Sequence, residues 1–168
     1  AMGGLDILVN NAGLTRDNLA MRMSADEWDQ VIAVNLTASF RLAKACLRGM
    51  MKARWGRIVG ITSIVGVTGN PGQANYAASK AGVMALTRCA ALEAADFGVR
   101  INAVSPSIAF HEFLKKTTPM ELLEELAAKE AFGRAAEVWE VANVMMFLAS
   151  DYSGYMTGEI VSCSSQRA

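Results

Sequence analysis

Short runs dominated by apolar residues, "LDILV" at residues 5–9, "RIVGIT" at 57–62 and "VRINAVSP" at 99–106, restrict the fold more than any other feature of this chain. Strands with so little polar alternation have to be covered on both sides, which points to a parallel sheet between helical layers. The segments between the runs carry helical periodicity instead. Ser24 and Glu27 stand at capping-box spacing, and Trp28, Val31, Ile32, Leu36 and Phe40 then recur at helical intervals. One long helix is expected from there to a stop at Gly56, and a second over 74–96 closed by Gly98. Further helices are expected over 119–130 and 137–150, and a fourth strand in "GEIVSCS" from Gly158. The pattern is that of one α/β domain, with about four parallel strands and flanking helices.

In an open sheet of this kind, ligands bind beyond the carboxyl ends of the strands. The loops "NNAG", "SIVG" and "SPSIAF" fall at those ends. Sixteen basic side chains balance sixteen acidic ones, so no general field recruits nucleic acid or an anionic membrane. Cys46, Cys89 and Cys163 are odd in number and widely spaced beside a single histidine, which argues against a disulfide framework and against a metal site. No apolar run approaches the roughly 20 residues that span a bilayer, and the start lacks the basic and apolar regions of an export signal. A cytoplasmic location is expected.

The candidate chemistry lies in four side chains. Ser63 follows the second strand at the rim, Tyr76 opens the next helix thirteen residues later, and Lys80 lies one turn beyond on the same face. A phenol has a reference pKa of about 10, and a nearby ammonium favours its ionised form and lowers that value. Tyr76 then becomes a usable acid or base, and Ser63 a hydrogen-bond donor to a carbonyl or alcohol oxygen. These are the protein's tasks in carbonyl reduction, while the hydride has to come from a cofactor. Asn35 sits on the apolar stripe of the first long helix, where a buried amide needs partners. It either ties its helix to neighbouring backbone or joins the catalytic group.

With these residues in hand, the chain resembles the short-chain dehydrogenase/reductase family. The resemblance is carried by "NNAG", "VNL" around Asn35, "GRIVGITS" ending at Ser63, "YAASK" from Tyr76 to Lys80 and "RINAVSP" ending at Pro106. Within the family, "LTRDNLAMRMSADEWDQVIAVNL" and "GNPGQANYAASKAG" are similar to the branch that reduces 3-oxoacyl thioesters on acyl-carrier protein in fatty acid biosynthesis. The resemblance implies the C-terminal part of a Rossmann-like doubly wound parallel sheet. It implies NADPH as cofactor, with NAD(H) as the alternative, and a homo-oligomer, a tetramer in the family, built on two long helices. It makes Tyr76 the catalytic acid/base and Ser63 the residue that orients the substrate oxygen. Lys80 would lower the tyrosine pKa and bind the nicotinamide ribose, with Tyr76 beside it, while Asn35 would hold a water linking Lys80 to a proton relay. Asn11 and Gly13 would border the cofactor, and the backbone near Ala109 would meet the nicotinamide carboxamide. Arg54 matches a basic position used to dock the acidic carrier, and a second docking arginine would fall at Phe97.

Departures from the family pattern shape the expectation. No glycine-rich TGxxxGIG turn precedes "LDILVNNAG", so residues 1–168 read as a single partial domain lacking the N-terminal glycine-rich βαβ units that hold pyrophosphate and select NAD or NADP. "LDILV" would then be an apolar sheet edge. Ser107 and His111 replace a usual glycine and threonine, leaving His111 as either a phosphate or substrate contact or a loop residue. The tail "EIVSCSSQRA" departs from the usual ending and leaves open a relative acting on acyl-CoA or a ring ketone. A non-catalytic association domain is the remaining alternative, although scaffolding alone gives no reason to keep all four polar residues. The 168-residue chain alone is expected to bind NADPH weakly and turn over little; micromolar affinity with normal turnover in a titration and assay of the isolated chain would refute this.

Overall fold

The computed structural model describes residues 4–111, 114 and 118–165. Strand β1 (Ile7–Asn10) leads through a loop to helix α1 (Ala25–Ile32). The expected capping box is closed: Ser24 Oγ accepts from the Glu27 N–H at 3.2 Å, and Glu27 Oε2 accepts from the Ser24 N–H at 2.7 Å. The single long helix, however, is interrupted by a π turn at Ala33–Thr37 before α2 (Ala38–Ala53). Such a turn carries one extra residue and swings a side chain off the regular stripe; here it carries Asn35. The helix also ends before Gly56. Arg54 caps it in the left-handed conformation with φ of 55°, and Gly56 already begins β2 (Gly56–Ile61).

A one-turn helix α3 (Val65–Thr68) occupies part of the expected loop, followed by α4 (Ala74–Ala94) and a 3-10 turn at Ala95–Phe97. Strand β3 (Val99–Pro106) has the expected bounds. Beyond it come β4 (Ala109–Phe110), α5 (Met120–Ala128), β5 (Ala136–Glu137), α6 (Val138–Ala149) and β6 (Ile160–Cys163). The two-residue parallel ladder of β4 and β5 has no counterpart in the sequence reading. The last three residues of the divergent tail lie outside the described residues.

The main sheet has the order β1-β2-β3-β6, and every pair is parallel. Leu8, Ile58 and Ile101 align across three strands and pack beneath Ala43 and Met50 of α2 and Ala90, Ala91 and Ala94 of α4. The alternate residues Val59, Val104 and Val161 face α6 through Val141, Met145 and Leu148. The runs are apolar because they feed two cores. Coverage stops short at β1, where Ile7 and Val9 are each 42% exposed on the sheet's open edge. Among the described residues, no helix is long and apolar enough to cross a membrane.

Two charges break the apolar pattern of the inner strands. Arg57 and Arg100 are register neighbours on β2 and β3, and both are buried. They reach the carboxyl end of α6 and the turn after it, where helix carbonyls carry partial negative charge. Arg100 donates to Ser150 O at 2.8 Å, to Ser153 Oγ at 2.7 Å and to Ser153 O. Arg57 bonds Asp151 at 3.1 Å and lies over the Trp55 ring at 4.3 Å. These charges fasten the sheet to α6.

Gly98 ends the 3-10 turn at φ of 70°, and a Cβ there would stand 2.7 Å from the Arg54 carbonyl oxygen. Gly49, in α2, has open space around it and an ordinary φ. Gly98→Ala is therefore expected to destabilise the fold by about 1 kcal/mol or more, whereas Gly49→Ala is expected to stabilise it by roughly 0.5–1 kcal/mol. Urea unfolding of the two variants checks the opposite signs.

Candidate active site at the carboxyl rim

Because the four strands run parallel, their carboxyl ends and following loops share one rim. The β2–β3 pairing continues past the strand end: Thr62 N donates to Val104 O at 2.8 Å and Ile64 N to Pro106 O at 3.0 Å. Ser63 lies between these two ties, buried, with its Oγ accepting from Val65 N at 3.3 Å. Gly66 then brings the loop against α4, where a Cβ would lie 3.0 Å from Ala81 N. That close approach holds the loop after Ser63 against the Lys80–Ala81 turn of α4, and Ser63 hydrogen-bonds the Tyr76 phenol.

Tyr76 and Lys80 share a face of α4, with Lys80 Nζ 5.6 Å from the phenol ring centre. Lys80 is 4% exposed and donates to Ile61 O, the last carbonyl of β2, at 2.7 Å. Asn35 is 1% exposed and makes a two-way contact with the loop after β1: Oδ1 accepts from Leu14 N at 2.9 Å, and Nδ2 donates to Leu14 O at 3.0 Å. Nδ2 also donates to Ser79 Oγ at 3.1 Å, and Ser79 in turn donates to Tyr76 O at 2.7 Å. Asn35 thus ties its helix to neighbouring backbone and also reaches the Tyr76 helix. Gly82 permits this closeness, since a Cβ there would fall 2.7 Å from Leu36 of the π turn. Ser79 was not singled out in the sequence; the available signal was a hydroxyl three residues after Tyr76, on its face.

The electrostatics differ from the expectation that Lys80 lowers the phenol pKa. Burial pushes the Tyr76 phenol up, with Asp17 adding to the rise, and only the hydrogen bond from Ser63 pulls it down. Burial also brings Lys80 down to about 8. The physical reason is common to both groups: enclosure penalises each charged form, and the Lys80 amine points to the Ile61 carbonyl.

The remaining candidate residues spread along the rim. Asn11 and Gly13 are exposed there, and a Cβ on Gly13 would lie 3.5 Å from Asn35 Oδ1 and 3.6 Å from Lys80 Nζ. Gly13 therefore borders both groups. Ala109 lies on the loop side of β3, in β4, opposite Ala136. His111 is exposed and its Nδ1 accepts from Leu114 N at 3.3 Å, bracing the loop. Arg54 donates to Asp96 O at 2.7 Å and sits 6.0 Å from the Phe97 ring, so the two sequence-predicted docking positions touch each other. Asn75, next to Tyr76 and fully enclosed, was also not singled out.

Serine, tyrosine and lysine are thus grouped at the carboxyl rim of a parallel sheet, as the resemblance to the short-chain dehydrogenase/reductase family leads one to expect. The chain belongs to the short-chain dehydrogenase/reductase family: the family described as Enoyl-(Acyl carrier protein) reductase matches residues 1–165. It is 59% identical to (5R,7aS)-5-hydroxy-7a-methyl-1-oxo-2,3,5,6,7,7a-hexahydro-1H-indene-carboxyl-CoA reductase of Mycobacterium tuberculosis, over 98% of this chain and 63% of that protein. It is 50% identical to 3-oxoacyl-[acyl-carrier-protein] reductase of Vibrio cholerae and 48% identical to that of Escherichia coli, in each case over 94% of this chain and 64% of the relative. The chain thus spans a little under two thirds of the length of these curated relatives.

Lys80 gives a pH test of its enclosure. Its folded value of about 8 lies below the ordinary 10.5, so between those values the unfolded chain binds the extra proton and stability rises with pH. Below pH 8 the full penalty is present. Relative to Lys80→Met, the chain is expected to gain up to about 1.4 kcal/mol per pH unit on entering this window. Urea unfolding of both proteins at several pH values across it provides the measurement, and a constant difference between them would contradict the assignment.

Proposed function

We propose that this chain carries the proton-transfer side of an NADPH-dependent reductase acting on the ketone of a 3-oxoacyl thioester. The observation that supports the reading is the meeting of Ser63, Tyr76 and buried Lys80 at one rim. A ketone oxygen between the Ser63 hydroxyl and the Tyr76 phenol accepts a hydrogen bond from each. As negative charge develops on that oxygen, Ser63 stabilises it and Tyr76 transfers its proton. The upward shift keeps Tyr76 protonated at neutral pH, which is the form that a reduction consumes.

The residues present fit the nicotinamide-ribose end of a dinucleotide. An ammonium has three donors, and Lys80 places one on Ile61 O while its Nζ stands 3.6 Å from where a Cβ on exposed Gly13 would lie. Ribose hydroxyls suit the other two. Asn11 and Gly13 would border the dinucleotide, and the backbone near Ala109 would meet its carboxamide. When bound, the dinucleotide supplies the hydride that no side chain can. Exposed Phe40 and Leu42 on α2 and Leu92 on α4 support self-association through these two helices.

A second reading concerns the thioester carrier. Arg54 is held by Asp96 O and by Phe97, an aromatic residue at the position of the second docking arginine. This favours a coenzyme A thioester over a protein carrier, and it includes a ring ketone of the kind named for the Mycobacterium tuberculosis relative. Joined to a family-typical N-terminal half, the chain is expected to oxidise NADPH in the presence of a 3-oxoacyl thioester. Tyr76→Phe should lower the rate by about 100-fold or more, and an unchanged rate eliminates the acid role. The coenzyme A thioester should be preferred to the carrier-protein thioester; the reverse preference would return the carrier protein as substrate.

A further inference from the structure

The first turn of α4 holds a second buried amide, next to the phenol. Asn75 is 0% exposed, and its side chain joins three pieces of the chain. Its Oδ1 accepts from the Tyr76 N–H at 2.7 Å, and its Nδ2 donates to Arg16 O at 2.9 Å and to Glu27 O at 3.1 Å. The Tyr76 N–H is a first-turn donor without a partner inside the helix, and Gln73 before it provides no side-chain cap. A cap needs only the acceptor. The two donors go elsewhere, to the loop after β1 and to α1.

That loop is the one Asn35 grips through Leu14. Two buried amides, one from the π turn and one from α4, thus hold backbone groups two residues apart. Asn18 N to Gly72 O at 2.9 Å and Gln73 Nε2 to Asp17 Oδ2 at 2.9 Å fasten the next residues to the approach of α4. The amide of Asn75 is the buried tie in this set that also bonds the residue bearing the phenol.

We propose that Asn75 is a positioning residue for the reaction, fixing Tyr76 against the Leu14–Asp17 loop so that the phenol and Asn35 are registered on the same backbone. The proposal rests on the acid role given to Tyr76 above. Asn75 touches no reacting atom; it acts through the placement of Tyr76.

The chain has three tyrosines, and Tyr152 and Tyr155 are exposed. In a Tyr152→Phe, Tyr155→Phe background, ultraviolet titration therefore reads Tyr76 alone. The groups acting on that phenol are Ser63 and Asp17, with Lys80 over the ring. Asn75→Ala removes every bond of the amide, whereas Asn75→Ser keeps an acceptor for the Tyr76 N–H but lacks the reach to both carbonyls. Both variants are expected to move the Tyr76 midpoint down toward the ordinary phenol value, as the loop loosens and enclosure falls. The serine variant, with its helix cap retained, is expected to recover stability without recovering the midpoint. A wild-type midpoint in Asn75→Ser would reduce Asn75 to a helix cap and overturn the proposal. In the chain joined to an N-terminal half, Asn75→Ser should lower kcat by roughly tenfold or more with KM for the ketone little changed; an unchanged kcat would also overturn it. If the joined wild-type protein oxidises no NADPH, the functional reading fails, while the Tyr76 titration still decides the placement role.

Discussion

Close approach of α4 to its neighbours is the constraint on which the candidate site depends. Ser63, Asn35 and Tyr76 come from three separate parts of the chain, and the serine and asparagine side chains are short. The Ser63 bond to Tyr76 and the Asn35 bond to Ser79 bring their backbones close to the Tyr76 helix. Gly82 against Leu36 and Gly66 against Ala81 supply that nearness, and Ser79 fills the remaining gap with a hydroxyl instead of bulk. The run of small residues around Tyr76 is therefore a packing requirement with a chemical result. A side chain at Gly66 would meet the backbone of α4 itself, whereas one at Gly82 would first displace the Leu36 methyl groups.

Burial then determines what the closeness can do. Two ionisable groups side by side invite the simple expectation that the cation promotes the anion. In this fold both are enclosed, and desolvation opposes each charge. The result is a phenol that holds its proton beside an ammonium turned to a strand carbonyl. That arrangement suits a proton donor more than a standing base.

Much of this was legible in the sequence because it is local. The strand of Val99–Pro106, the capping box at Ser24 and the common face of Tyr76 and Lys80 follow from patterns a few residues long. What escaped depends on distant partners. The π turn at Asn35 exists beside a loop twenty-one residues earlier, and Asn75 is held by carbonyls forty-eight and fifty-nine residues away. Periodicity in a helix says that an amide faces inward, but not which backbone meets it. Arg57 and Arg100 broke the strand pattern for the same reason, since their partners are the closing turns of a helix far down the chain.

That last arrangement bears on the order in which the molecule can be completed. Arg57 finds Asp151 across ninety-four residues, and Arg100 finds Ser150 across fifty. During synthesis, β2 and β3 leave the ribosome well before those partners, and strands that pair early bring two like charges together with nothing yet to neutralise them. The bonds that hold these two guanidinium groups therefore wait for the segment after α6. A chain stopped short of Ser150 would contain every residue of the Ser63–Tyr76–Lys80 group and still lack the anchors of the two buried guanidinium groups on its central strands.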